Sequence, residues 1–165
     1  MTHFGVIVVY TGTSMSPTLS LHDATVASRF VYRSSNPCRG DVIIVPLLKK
    51  DGSTITAFKR VVGLPGETIA IRPPYVLING TELLEPPFFA KMSSGKEGYS
   101  GYVTAKDTEL EGIELPITLG PDEYFVLGDN SPESGDSRHF GPVPRANIHG
   151  KVMRIVFPPW RIREL

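Results

Sequence analysis

The sequence predicts an all-β protein made of short antiparallel strands, arranged as a coiled sheet or partly open barrel with a smaller inserted β extension. Three observations favour this fold class. The apolar segments are short and rich in β-branched and aromatic residues, which is typical of strands. The 16 glycines and 15 prolines among 165 residues provide many turns. No segment has convincing helical periodicity, and there is no internal repeat.

The composition limits the possible partners and compartment. With 17 basic and 17 acidic residues the net charge is zero, so no basic excess is available to neutralise a nucleic acid. The single cysteine, Cys38, excludes an internal disulfide. The apolar run from Phe4 to Tyr10 is far shorter than the roughly 20 residues that span a bilayer. The protein is therefore soluble, binds a membrane peripherally, or has its anchor outside this chain.

The first strand is expected over residues 6–10, and a turn with glycine, serine and proline follows it. Such a turn can lift one side chain off the end of a strand, and Ser14 is the candidate. Serines beside glycine and proline are far more often turn formers than nucleophiles, so Ser14 alone proves nothing. The next strand is expected over residues 23–31.

A third strand is expected over residues 41–45 and a fourth over residues 54–62, with a hairpin turn at 49–52 marked by Asp-Gly. Strand alternation places Lys59 on one face with Ala57 and Val61. Lys59 then either extends past the strand edge to solvent or is held in an apolar site, and the strand alone does not decide between the two.

Further short strands are expected over residues 68–71, 75–78, 124–127 and 152–157, with a hairpin at Asn79-Gly80. Residues 84–115 are the least regular part and carry no evident chemistry. The expected division is therefore a catalytic β core of residues 1–67 and 116–165, with an inserted hairpin and loop extension of residues 68–115.

Three segments together resemble the type I signal peptidase family. Residues 14–19, Ser-Met-Ser-Pro-Thr-Leu, resemble its nucleophile motif. Residues 59–67, which begin Lys-Arg-Val-Val-Gly, resemble its general-base segment. Residues 128–141, which begin Gly-Asp-Asn, resemble its third conserved box, and all three occur in the family's order.

The resemblance implies a serine-lysine dyad that removes N-terminal signal peptides from exported preproteins. Ser14 would be the nucleophile and Lys59 the general base. Ser134 would hydrogen-bond and orient the lysine amine, and Asp136 and Arg138 would form a structural ion pair beneath the site. No metal and no cofactor are implied, and the four histidines have no metal-ligand spacing.

The proposed base must be neutral to accept a proton from a serine hydroxyl. Its pKa must therefore fall from about 10.4 to near the working pH, which burial among apolar side chains can achieve. A carboxylate in contact with Lys59 would raise the pKa instead, so Asp136 should pair with Arg138.

The tetrahedral intermediate needs hydrogen-bond donors for its oxyanion. The backbone N–H of Ser14 is one candidate. Many family members add a serine hydroxyl two residues before the nucleophile, but that position here is Gly12. The second donor is then another backbone N–H or the Thr13 hydroxyl.

The substrate is expected to be an extended peptide that adds to sheet edges near Ser14 and Lys59. The resemblance implies small residues, commonly alanine, at the first and third positions before the cut. It also implies a membrane-associated enzyme with its site on the extracytoplasmic face. The residues expected to bind substrate are Val8, Val9, Tyr10, Gly12, Met15, Ile55, Ala57 and Phe58.

Other functions remain open at this point. Self-cleaving repressor and mutagenesis proteins also use a serine-lysine dyad on a β fold, but no Ala-Gly or Cys-Gly cleavage site precedes Ser14. A related maturation peptidase would share the same residues. An inactive module that binds extended peptides would make Ser14, Lys59 and Ser134 coincidental.

Overall fold

The structure is a computed structural model that describes residues 5–48, 52–107 and 112–165. It confirms the all-β expectation, since antiparallel sheets dominate and helices are few and short. The strands are β1 Val6–Val9, β2 Ala24–Ser28, β3 Val42–Leu48, β4 Thr54–Gly63, β5 Thr68–Arg72, β6 Tyr75–Ile78, β7 Thr81–Glu82, β8 Ile117–Thr118, β9 Glu123–Leu127, β10 Val143–Pro144, β11 Gly150–Phe157 and β12 Arg163–Glu164.

The larger sheet has eight strands in the order β1-β2-β11-β3-β4-β9-β10, with β12 added to β11. Every pairing in it is antiparallel, and the sheet is not a closed barrel. The register of β11 on β2 shifts between Val152 and Arg154 and again between Ile155 and Phe157. Such irregularities increase local twist and help a sheet to coil.

The smaller sheet has four strands in the order β7-β6-β5-β8. Its β5–β6 ladder is followed by the Asn79-Gly80 turn, where both residues have positive φ. Its apolar core includes Ile69 and Phe89, and it continues into Phe125 of β9. The two sheets therefore share buried packing.

In the described ranges there are three short α-helices, α1 Val31–Ser34, α2 Phe88–Ser93 and α3 Ser137–Phe140, besides four 3-10 turns. None exceeds six residues, which is too short for a helical period to be visible in the sequence. The expected hairpin turn at 49–52 falls mostly outside the described residues, but β3 and β4 pair antiparallel on either side of it.

Strands β1 and β4 each have an edge that is not paired with another described strand over part or all of its length. Strand β1 pairs only with β2. Strand β4 pairs with β3 from Thr54 to Arg60, whereas in the described residues β9 pairs with its other edge only at Arg60, Val61 and Gly63. Within the described part of the chain, residues 54–59 therefore present a strand edge that no other strand covers.

Candidate active site

The turn between β1 and β2 presents Ser14. Backbone bonds from Tyr10 to Asp23 and from His22 back to Tyr10 close the loop. Inside it, the N–H of Ser16 donates to the carbonyl of Thr13 at 3.1 Å, which makes a tight turn around Ser14. The side chains of Met15 and Leu19 are fully buried on the core side of this turn. Packing therefore fixes the turn while Ser14 stays half-buried at the surface.

Strand β4 brings Lys59 to this turn. Lys59 lies opposite Ile43 in the β3–β4 ladder and is only 3% exposed. Its Nζ atom lies 2.9 Å from Ser14 Oγ, within hydrogen-bonding distance. The two residues expected to form a dyad are thus in direct contact.

Burial lowers the pKa of the Lys59 amine from its ordinary 10.5 to about 8. Asp136 and Asp129 oppose this by attracting the charged form, and Arg138 adds a smaller lowering effect. Desolvation is the largest influence because the amine is removed from water. With a pKa of about 8, roughly a tenth of the amine is neutral at pH 7, and this neutral form is what a general base requires.

The loop after β9 holds the serine turn in place. The backbone N–H of Asn130 donates to the carbonyl of Ser14 at 2.9 Å, and its side-chain Nδ2 donates to the carbonyl of Thr13 at 3.2 Å. The Thr18 hydroxyl donates to Asp129, which also accepts two bonds from the Arg60 guanidinium. This network joins the turn, β4 and the β9 loop.

Asp136 and Arg138 form a two-pronged ion pair with both side chains fully buried. Nε and Nη2 of Arg138 each lie 2.8 Å from a carboxylate oxygen of Asp136. Arg138 also donates to the carbonyls of Val103, Ser131 and Ser134, and Asp136 accepts from the N–H of Gly128. These bonds join the loop after β9 to Val103, and within the described residues no hydrogen bond or ion pair joins Asp136 to Lys59.

Ser134 does not make the hydrogen bond to Lys59 that was expected of it. Its hydroxyl is buried and has no partner within the described residues, while Lys59 contacts Ser14 instead. A Cβ placed on Gly128 would lie 2.2 Å from Ser134 Oγ and 2.5 Å from the Ser14 carbonyl oxygen. Ser134 therefore packs directly beneath the nucleophile turn with an unpaired hydroxyl.

A groove of about 280 Å³ runs between the open edges of β1 and β4. Seven of the eight residues expected to bind substrate line it, and Thr11, Ser14 and Thr56 complete the lining. Met15 is the exception, because its side chain is fully buried in the core cluster with Leu19 and Phe58. Thr13, the expected alternative oxyanion donor, is exposed and does not line the groove.

Three contributions were missed by the sequence analysis. The first is the pair Asn130 and Asp129, whose place in the third segment could have suggested a role near Ser14. Arg60 is buried against Asp129, and a charged residue inside an apolar strand requires such a partner. The hydroxyl of Tyr10 lies 3.4 Å from Ser14 Oγ, and no sequence pattern indicates this contact.

The described residues contain neither a cluster of potential metal ligands nor a helix that could span a membrane. Across residues 5–48, 52–107 and 112–165, no group of three or more potential ligands among His, Cys, Asp and Glu could hold a metal ion. No helix in the same ranges is long and apolar enough to cross a bilayer.

Comparisons with known proteins agree with one another. Residues 2–157 match the family model described as signal peptidase, peptidase S26. A signal peptidase I from Leptolyngbya laminosa is 35% identical over 157 residues, covering 92% of this chain and 68% of that relative. Signal peptidase I V of Bacillus subtilis strain 168 is 34% identical over 141 residues, covering 86% of this chain and 79% of that relative.

A solved structure is also similar. The crystal structure of a signal peptidase I from Enterococcus faecalis V583 matches with a TM-score of 0.51 and 34% identity, covering 71% of this chain and 97% of that one. The family match extends over nearly the whole chain and includes every segment that forms the candidate site. This chain belongs to the signal peptidase family, peptidase S26.

Proposed function

We propose that this enzyme removes N-terminal signal peptides from exported preproteins with Ser14 as nucleophile and Lys59 as general base. Its family and relatives are signal peptide-removing serine peptidases. The observation that carries the residue assignment is the 2.9 Å contact between Ser14 Oγ and a lysine amine whose pKa burial lowers to about 8. A buried amine with a lowered pKa beside a half-buried hydroxyl fits nucleophilic catalysis better than a structural ion pair.

The reaction begins when the neutral Lys59 amine accepts the Ser14 proton as Oγ attacks the scissile carbonyl. The resulting tetrahedral intermediate collapses when the C–N bond breaks and Lys59 returns the proton to the leaving amine of the mature protein. The signal peptide is then held as an ester on Ser14. Water attacks this ester with Lys59 again taking a proton, which releases the signal peptide carboxylate and restores the serine.

Substrate binding follows from the open strand edges. An extended preprotein segment can add to β1 and to the first half of β4, which supply unpaired backbone groups. Alternate side chains of the bound segment then point into the groove, which Ile55, Ala57 and Phe58 line on the β4 side. The proposal includes small residues at the first and third positions before the cut, as the resemblance to the family implies.

The remaining third-segment residues act as support in this proposal. Asp136 and Arg138 hold the loop, and Ser134 orients the Lys59 amine. The unpaired, buried hydroxyl of Ser134 supports such a role, because an orphaned buried hydroxyl is costly unless another state uses it. We also propose that residues 1–67 and 116–165 form the catalytic core and that residues 68–115 form an extension of it.

The family is membrane-associated, and we propose that this chain docks on the extracytoplasmic surface of a membrane. Ile7 and Val9 share one exposed face of β1, and the register through Ala24 puts Phe157 in the same row as Val9. Trp160 follows shortly after and is 82% exposed. Exposed apolar and aromatic side chains of this kind fit a membrane interface.

The test of the dyad is cleavage of a purified preprotein, with the cut located by mass spectrometry. Wild type should release a mature protein cut after a small residue, whereas Ser14→Ala and Lys59→Ala should not. Ser16→Ala lies in the same turn and serves as the matched control, with activity near wild type. Equal activity of wild type, Ser14→Ala and Lys59→Ala would remove the assignment.

The membrane proposal is tested separately by co-sedimentation with liposomes. Trp160→Ala should reduce the bound fraction, whereas Phe140→Ala, which also removes an exposed aromatic ring, should not. Absence of binding by the wild-type protein would contradict the docking proposal without affecting the assignment of Ser14 and Lys59.

A further inference from the structure

The hydroxyl of Tyr10, the residue that directly follows β1, lies inside the candidate site. Its side chain is only 3% exposed, and its ring packs edge-on against Phe58 with centroids 5.3 Å apart. The hydroxyl accepts a hydrogen bond from the backbone N–H of Met15 at 2.8 Å and lies 3.4 Å from Ser14 Oγ. Tyr10 also lines the groove. Its hydroxyl is thus fixed beside the reacting oxygen.

The same hydroxyl fills the space beside Gly12. A Cβ placed on Gly12 would have the Tyr10 oxygen as its nearest neighbour, at 3.2 Å, followed by two ring carbons at 3.3 and 3.4 Å. Any side chain at position 12 would therefore project towards this oxygen. Gly12 itself supplies no side-chain donor, and the Tyr10 hydroxyl oxygen is the atom nearest to the position of that Cβ.

The Tyr10 proton is available for a new partner. Because the oxygen accepts from Met15, its single O–H proton must point elsewhere, and Ser14 Oγ at 3.4 Å is too distant for a strong bond. Burial raises the pKa of Tyr10 above its ordinary 10.0, so the phenol keeps its proton at neutral pH. The backbone N–H of Ser14 likewise donates to no acceptor within the described residues.

We infer that the Tyr10 hydroxyl is the second oxyanion donor of this enzyme, acting together with the backbone N–H of Ser14. In the tetrahedral intermediate the oxyanion is separated from Oγ by a single carbon, so a donor that touches Oγ is within reach of the oxyanion. A bond that is weak in the resting enzyme and strong in the intermediate stabilises the transition state selectively. This inference rests on the proposed dyad.

Tyr10→Phe tests it, because this change removes the oxygen and keeps the ring against Phe58. Loss of one oxyanion donor should lower kcat by about 10² to 10³ with little change in KM. A substrate-like peptide aldehyde adds to Ser14 Oγ and places negative charge on its oxygen, whereas the matching peptide alcohol does not. Tyr10→Phe should therefore weaken the aldehyde and leave the affinity for the alcohol unchanged.

Rescue separates an oxyanion role from a merely structural one. In the Tyr10→Phe background the oxygen nearest to position 12 is gone and only the ring carbons at 3.3 and 3.4 Å remain beside it, so adding Gly12→Ser should restore part of kcat and of the aldehyde affinity. Gly12→Ala in the same background adds the carbon without the hydroxyl and should restore neither. In the wild-type background Gly12→Ser should give no gain, because the Tyr10 oxygen already occupies the space.

Several results would overturn the inference: wild-type kcat in Tyr10→Phe, equal loss of aldehyde and alcohol binding, or equal rescue by Gly12→Ala and Gly12→Ser. Should Tyr10→Phe fail to fold, fluorotyrosine at position 10 makes the hydroxyl a stronger donor at nearly constant volume. It should tighten the aldehyde relative to the alcohol, and an unchanged ratio would contradict the inference. A wrong dyad assignment would be recognised by a different result, because Ser14→Ala would then still cleave the preprotein.

Discussion

Lys59 Nζ lies 2.9 Å from Ser14 Oγ, although 45 positions separate the two residues in the chain. The contact depends on two independent supports. Pairing of β4 with β3 fixes the lysine, and the bond from Asn130 to the Ser14 carbonyl fixes the serine turn. The properties of this pair lead to the following predictions.

The first prediction concerns the cost of burying Lys59. A pKa lowered from 10.5 to about 8 corresponds to about 3 kcal/mol against the charged form in the folded state. Below pH 8 the amine is charged in both the folded and unfolded states, so the full cost is present. Lys59→Met should then be more stable than wild type by about 2–3 kcal/mol at pH 7.

The sign of the pH dependence follows from linkage. Between pH 8 and 10.5 the unfolded chain binds more protons at Lys59 than the folded chain does, so wild-type stability rises with pH. The advantage of Lys59→Met should therefore shrink by pH 10, as measured by urea unfolding. The other titrating groups are the same in both proteins, so the difference in stability between wild type and Lys59→Met isolates the contribution of Lys59. An advantage that is absent at pH 7, or constant to pH 10, would contradict the prediction.

The second prediction concerns the unpaired hydroxyl of Ser134. Removing a buried hydroxyl that has no partner should leave the free energy of unfolding unchanged or raise it by about 1 kcal/mol. If Ser134 orients Lys59 during the reaction, Ser134→Ala should nevertheless lower kcat by about 10- to 100-fold. Urea unfolding and preprotein cleavage measure the two effects.

Ser93 provides the matched control for this variant. Its hydroxyl is also buried without a partner within the described residues, but Ser93 lies in α2, away from the groove. Ser93→Ala should show a similar change in stability and wild-type kcat. An unchanged kcat in Ser134→Ala would remove the orienting role.

The third prediction concerns Gly128. A Cβ at this position would come within 2.5 Å of the Ser14 carbonyl oxygen, which is backbone and cannot rotate away. Gly128→Ala should therefore displace the nucleophile turn, lower kcat by about 10²-fold or more, and reduce stability by about 1–3 kcal/mol.

Gly120→Ala is a suitable control for Gly128→Ala. Its nearest neighbours are the carboxylate and Cγ of Glu123, a flexible side chain that can move. Its kcat should stay near wild type. Full activity of Gly128→Ala would mean that the turn tolerates the shift and that the close packing is not required.

Sequence reasoning anticipated features that depend on local pattern. Alternation along β4 indicated that Lys59 would share a face with Ala57 and Val61, and these residues are indeed buried. The argument that a carboxylate must avoid the lysine anticipated the pairing of Asp136 with Arg138. The resemblance to the family first implied the roles of Lys59, Asp136 and Arg138, and strand periodicity and the sign of the charge interaction agreed with them.

Features that depend on the path of a turn were not accessible from sequence. Met15 follows the nucleophile and was expected in the groove, but the turn directs its side chain into the core. Tyr10 was expected to contact substrate as a strand residue, yet its hydroxyl reaches back over the turn to Ser14. The surroundings of the Ser134 hydroxyl likewise depend on its packing against Gly128 and the Ser14 turn, which are distant from one another in the sequence.

The most direct measurement of the central claim is the titration of Lys59 itself. In protein labelled with ¹³C at lysine Cε, with Lys59→Met used to assign the signal, Lys59 should titrate at about 8. The profile of kcat/KM against pH should bend at the same value and fall about tenfold per pH unit below it. A Lys59 signal that titrates near 10.5, or a rate profile that does not follow it, would contradict its assignment as the general base.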